Sequence, residues 1–336
     1  MTKRISKSKL EDAEFVRAID KFTKFDNCLL CGKKMTSACN SHVVPQFILK
    51  EIAEDGHVSY GHELHTFKVP GIKKTTGVRD AYTFRLICRE CDSKYFKHYE
   101  NPENLLNFDN LGENDKKLML CEMALKAHLS HFSMKYKQLV MIDMVNQGKI
   151  AELEKQGKYT SQRLDLEEYS YYIYKLKKSI KSNKNPFCIL YNKVLDYPTK
   201  LATQTIINFN YDLEGNQIFD PNLIEFNNHC RYFYLMVLPY KGKTRVLFYI
   251  EKLFINNVLG LVNQFNKLSD KEKLHFLFIA LIIHDQQFYM NPDFAKNVLK
   301  KDRKLVNLYT NTDLSTSYQS KIKDFRKYKN YLLDIL

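Results

Sequence analysis

The chain has 336 residues, a net charge of +14 and 13% aromatic residues, with 22 Tyr, 22 Phe and no Trp. That aromatic content excludes a disordered polar chain, and the length allows two domains or a small module grafted onto a larger one. The longest apolar run, Phe276 to Ile283, is too short to cross a bilayer, so no membrane role is expected, whereas the excess of Lys and Arg points to a polyanionic partner.

Residues 1–24 carry apolar positions at Leu10, Phe15, Val16, Ile19 and Phe22, which predicts a short helical segment. Residues 25–110 are rich in Cys, His and Gly and read as a metal module. From Lys117 to Met144 and again from Leu166 to Ile180 apolar residues recur at helical spacing, so 111–185 is expected to be a helical hairpin ending in the lysine-rich tract Lys175 to Asn185 and a linker at Pro186. Beyond it, 186–336 is expected to be an α+β domain with an antiparallel sheet. Gln204 to Tyr211 alternates as a strand, and Tyr232 to Leu238 and Thr244 to Ile250 form a hairpin across Pro239 to Lys243. Ser269 and Glu272 make a capping box ahead of the apolar helix Leu274 to Gln287, and the last 45 residues suit a basic helical tail. The start, Met1 to Lys7, lacks the apolar run of a secretory signal, so the eight cysteines are expected in a reducing, cytoplasmic setting as metal ligands or core thiols.

Two matched pairs, Cys28-x-x-Cys31 and Cys88-x-x-Cys91, carry the strongest signal. Four thiolates complete a tetrahedral Zn²⁺ shell; such a shell is closed, so the zinc would be structural and the chemistry would fall to neighbouring side chains. Between the pairs lies Ser41-His42-Val43-Val44-Pro45, and Asp92 follows the last cysteine. An imidazole titrates near neutral pH and serves as a general base; a carboxylate is a hard oxygen ligand suited to Mg²⁺ or Mn²⁺. Gly61-His62-Glu63-Leu64-His65 is not a zincin motif, because its second histidine comes one residue early.

On these residues, 28–100 resembles the HNH, or ββα-metal, endonuclease module in its zinc-containing form, a resemblance that covers less than a quarter of the chain. Ser41-His42-Val43-Val44-Pro45-Gln46-Phe47 is similar to the family's histidine segment, and Leu86 to Asp92 to its lead-in to the metal helix. The resemblance implies an N-terminal zinc-bound ββα module, hydrolysis of nucleic-acid phosphodiesters with DNA favoured, His42 as general base, Asp92 as ligand of a catalytic Mg²⁺ or Mn²⁺, and Ser41 as a weak or water-mediated ligand. Some bacterial proteins with a similar segment and a larger α+β part are associated with phage defence or mobile elements, so the resemblance allows a protein partner in a defence system. The pattern departs from the family at Ser41, where Asp or His is usual, at Asp92, where His or Asn is usual, and in the long interval to Cys88, where His57, His62 or His65 could supply a ligand.

Other readings of the same residues stand beside this one. Cys39-x-x-His42 could join Cys28 and Cys31 in a CCCH finger, Asp92 could cap a helix, and His98 and Glu100 could be secondary site residues. His128 and His131, three apart on an apolar helix, could face a metal or fill the core. A non-catalytic zinc module that binds DNA or protein, or the sensor subunit of a larger defence complex, would show the same motifs.

Overall fold

The computed structural model describes residues 23–36, 38–61, 75–81, 83–146, 158–182, 184–219, 229–285, 288–312 and 316–333. Apart from Thr23 and Lys24, the helix expected over 1–24 lies outside them, as do His62 and His65.

A seven-stranded antiparallel sheet, ordered β3-β2-β9-β6-β7-β8-β5, forms the centre; its strands are β2 (His57–Tyr60), β3 (Thr75–Gly77), β5 (Phe187–Leu195), β6 (Leu201–Ile207), β7 (Phe233–Tyr240), β8 (Lys243–Glu251) and β9 (Tyr289–Met290). In β7 and β8 alternate residues enter different cores: Tyr234, Met236, Leu238, Leu247 and Tyr249 face one, and Phe233, Leu235, Val237, Val246, Phe248 and Ile250 the other. The sheet is therefore covered on both faces, which explains why both strands are apolar throughout. The β7–β8 hairpin turns at Lys241 and Gly242, both at positive φ (48° and 77°), the backbone twist that suits a two-residue hairpin.

After three short helices, α1 (Gln46–Ile52), α2 (Arg89–Tyr95) and α3 (Pro102–Leu106), one face of the sheet carries α4 (Glu113–Asn146) and α5 (Lys158–Lys181), which run antiparallel: Lys117 Nζ donates to the Ile180 carbonyl at 3.1 Å, and Lys135 pairs with Asp165 at 2.8 Å. The other carries α6 (Leu259–Asn266) and α7 (Asp270–His284), the latter started by the expected Ser269/Glu272 capping box. Among the described residues no helix is long and apolar enough to cross a membrane.

Three features depart from the expectation. The segment placed beyond a linker begins instead with β5, an edge strand paired to β8 whose Asn192 and Lys193 break the apolar alternation. The strand expected over Gln204 to Tyr211 runs over Leu201–Ile207, and Asp212 closes the turn after it by accepting from the backbone N–H groups of Glu214 and Asn216. The metal module is also joined to the sheet. Its β2 pairs with β9, and β9 pairs with β6, so β2 and β3 extend the sheet of the C-terminal half. Arg245 of β8, 4% exposed, reinforces the junction by donating to the carbonyls of Leu105 and Leu106 and pairing with Asp109.

Candidate metal centre and the polar cluster beside it

The first cysteine pair sits on a tight knuckle. Gly32, at φ 74°, lets the chain reverse; its N–H donates to the Cys28 carbonyl at 2.8 Å, and Asn27 bridges to Lys34. The second pair opens α2 (Arg89–Tyr95), with Cys88 as its N-cap residue. Backbone bonds from Leu29 to Leu86 (3.0 Å) and from Cys39 to Ile87 (3.0 Å) bring the knuckle and the helix start together.

All four sulfurs lie within 4.8 Å of one another, with Cys31 Sγ and Cys88 Sγ at 3.9 Å. Tetrahedral thiolates at about 2.3 Å from Zn²⁺ stand roughly 3.8 Å apart, so these four cysteines are positioned to hold a metal ion such as zinc. Burial pushes the Cys28 thiol up, but N–H groups of Cys88, Cys31 and Leu30 outweigh it and bring it down to about 7, whereas burial and the neighbouring sulfurs push Cys91 up. Sulfurs so crowded resist joint ionisation until a dication relieves them. Cys39 and His42 stand outside this group. The CCCH alternative is therefore not the arrangement adopted.

Beside the sulfurs lies a two-stranded sheet, β1 (Ser41–His42) against β4 (Thr83–Phe84), with α2 following. Ser41, 1% exposed, donates from Oγ to Asp92 Oδ1 at 2.6 Å, and the Cys39 thiol donates to Asp92 Oδ2 at 3.4 Å. Burial and the Asp92 carboxylate push that thiol up to about 11, so it stays protonated and able to donate.

His42 faces another way. Its Nε2 lies 3.2 Å from the Val78 carbonyl and 3.1 Å from that of Arg79, at the return of the long insertion between β1 and β4. Carbonyl oxygens only accept, so Nε2 carries the hydrogen and Nδ1 keeps its lone pair. Burial holds the ring below its ordinary pKa of 6.5, outweighing those two carbonyls, so the imidazole is neutral at neutral pH.

A third layer comes from α4. Lys126, 0% exposed, pairs with Glu100, lies 3.9 Å from Asp92 Oδ1 and sits 4.4 Å from the centre of the Phe96 ring. One turn earlier Glu122 accepts from the backbone N–H groups of His98 (3.0 Å) and Tyr99 (2.8 Å) and pairs with His98 Nδ1 at 2.6 Å. His98 is thus turned toward α4, while Glu100 joins Asp92 through Lys126. His57 bonds the Asp55 carbonyl at 2.8 Å. His128 and His131 are core residues, bonded to Tyr234 and Thr205.

The donor set at Asp92 does not fit a hard divalent ion as it stands. Both carboxylate oxygens already accept hydrogen bonds and an ammonium faces one of them; among the described residues the four cysteines are the one convergent group of three or more His, Cys, Asp or Glu ligands. Lys126 carried no motif; only its place on the buried, helically spaced face of α4 marked it, as a charge where an apolar residue is the norm. Compared with family profiles, curated proteins and solved structures, the chain matches none.

Proposed function

We propose that residues 25–110 form a structural-zinc, HNH-like module that hydrolyses nucleic-acid phosphodiesters, DNA in the first instance, with His42 as the general base. The observation that carries this reading is the tautomer of His42: two carbonyls hold the proton on Nε2, and burial keeps the ring neutral, which leaves Nδ1 as a base at neutral pH. Water attacks phosphorus, Nδ1 takes its proton, the bond to the leaving oxygen breaks, and that oxygen is protonated from solvent. The net charge of +14 supports a polyanionic substrate. The resemblance adds a role in phage defence with a protein partner.

His42→Ala is expected to lower cleavage by on the order of 10²- to 10⁴-fold while zinc content and fold persist. Assays on single- and double-stranded DNA and RNA, with Mg²⁺, with Mn²⁺ and with chelator, test this. Loss of zinc from the variant, or cleavage that survives it, would overturn the assignment of His42. One observation favours a second reading, a non-catalytic zinc module that binds DNA or protein: Asp92 is closed off by Ser41, Cys39 and Lys126. Binding of DNA without cleavage under every metal condition would favour it.

A further inference from the structure

We propose that Lys126 is the resident cation of this cluster: its ammonium lies between Glu100 and Asp92, the residue on which the resemblance puts a divalent ion, and so keeps these carboxylates from binding one. The proposal rests on the functional reading only in treating Asp92 as a site residue, and ion binding is measured apart from cleavage.

A lysine with no exposed surface must be paired, because an isolated ammonium in a protein interior carries a heavy desolvation cost. Lys126 is held on several sides, by Glu100, by Asp92 Oδ1 at 3.9 Å and by the Phe96 ring at 4.4 Å. Its position follows from helix geometry. Glu122 and Lys126 are four apart on α4 and so share one face, where Glu122 anchors the backbone of His98 and Tyr99 and Lys126 meets the carboxylates on either side of them. The ammonium is thus delivered to one place by a buried helix.

Charge decides what else can enter. With Lys126 present the two carboxylates carry one net negative charge, and a divalent ion approaching them meets a fixed positive charge at short range in a poorly screened setting. Without that ammonium, two partly exposed carboxylates, 17% and 34% accessible, would be left uncompensated, the condition that a hard divalent cation relieves.

The test is Mn²⁺ binding to the zinc-loaded full-length protein, read by electron paramagnetic resonance of free Mn²⁺. In wild type, Asp92→Asn and Glu100→Gln are each expected to leave Mn²⁺ affinity unchanged. Lys126→Met is expected to raise it at least about tenfold, and adding Asp92→Asn to that variant to remove the gain. Wild-type Mn²⁺ binding that is lost in Asp92→Asn or Glu100→Gln would overturn the proposal, as would a folded Lys126→Met protein with no gain. Should Lys126→Met fail to fold by circular dichroism, the wild-type comparison with Asp92→Asn and Glu100→Gln decides alone: unchanged affinity supports the resident ammonium, and loss refutes it.

Discussion

Cys28 receives a backbone N–H from Cys88 at 3.3 Å, so the two knuckles are bonded to each other before any metal is considered. Metal and fold are therefore coupled through the same residues. Cys88→Ser is expected to release the metal and to lower stability by about 3 kcal/mol or more, because a closed thiolate shell contributes folding energy directly. Metal analysis beside thermal unfolding checks this; unchanged metal content would remove Cys88 from the ligand set. At this scale the spacing of Cys28, Cys31, Cys88 and Cys91 was legible, whereas the meeting of His42 with Asp92 that the resemblance implies is not the arrangement adopted: Ser41 meets Asp92, and His42 turns to the Val78 and Arg79 carbonyls. Lys126 was not legible, because it lies 34 residues beyond Asp92 and nothing in its neighbourhood of α4 signals a partner outside the helix.

Helix α4 is unusual in burying charged and titratable groups along its length, with Lys117, Glu122, Lys126, His128 and His131 all buried. Burial, with Lys135 nearby, holds His131 down to about 3; burial, with His131 and Lys175 nearby, holds His128 well below 6.5. In the unfolded chain both histidines return to about 6.5, so below that pH the unfolded state binds more protons and stability falls as pH is lowered, down to about 3 for His131. Each contributes a loss of about 1.4 kcal/mol per pH unit within its window. Glu122 and Glu251, whose carboxyls burial pushes up, act in the opposite sense. The difference between wild type and His131→Gln isolates the histidine: melting temperatures from about pH 7 to about pH 5 should fall less steeply in the variant, by up to one proton's worth. Parallel profiles would show that His131 titrates normally in the fold. The period of 3.6 made α4 and α5 legible as a helical pair, but periodicity is blind to which face meets the module and which the sheet.

Across the whole molecule the module and the α+β half share one sheet through the β2–β9 and β9–β6 pairings, so the cysteine knuckles stand on the same framework as the C-terminal strands. Nucleic acid, if bound, meets a chain with a net charge of +14. Binding should then weaken by about tenfold or more between roughly 50 and 200 mM salt, as released counterions return. Titration of labelled DNA at rising salt measures the slope. A flat response would assign the basic charge to something other than phosphate contacts.

The local chemistry of the chain was written in its sequence: two cysteine pairs at a metal-binding spacing, a histidine and an acid near them, helices of period 3.6, a β7–β8 hairpin marked by β-branched and aromatic runs and a capping box at Ser269. Each depends on residues a few positions apart, where propensity and spacing act. Tertiary structure alone decided the rest. The lone pair on His42 Nδ1 is assigned by two carbonyls 36 and 37 residues away, the closure of Asp92 by a lysine on a helix from outside the module, and the shared sheet by two-residue β9, too short to leave a pattern. In each case the deciding contact joins segments remote in sequence, whose meeting depends on how the layers pack.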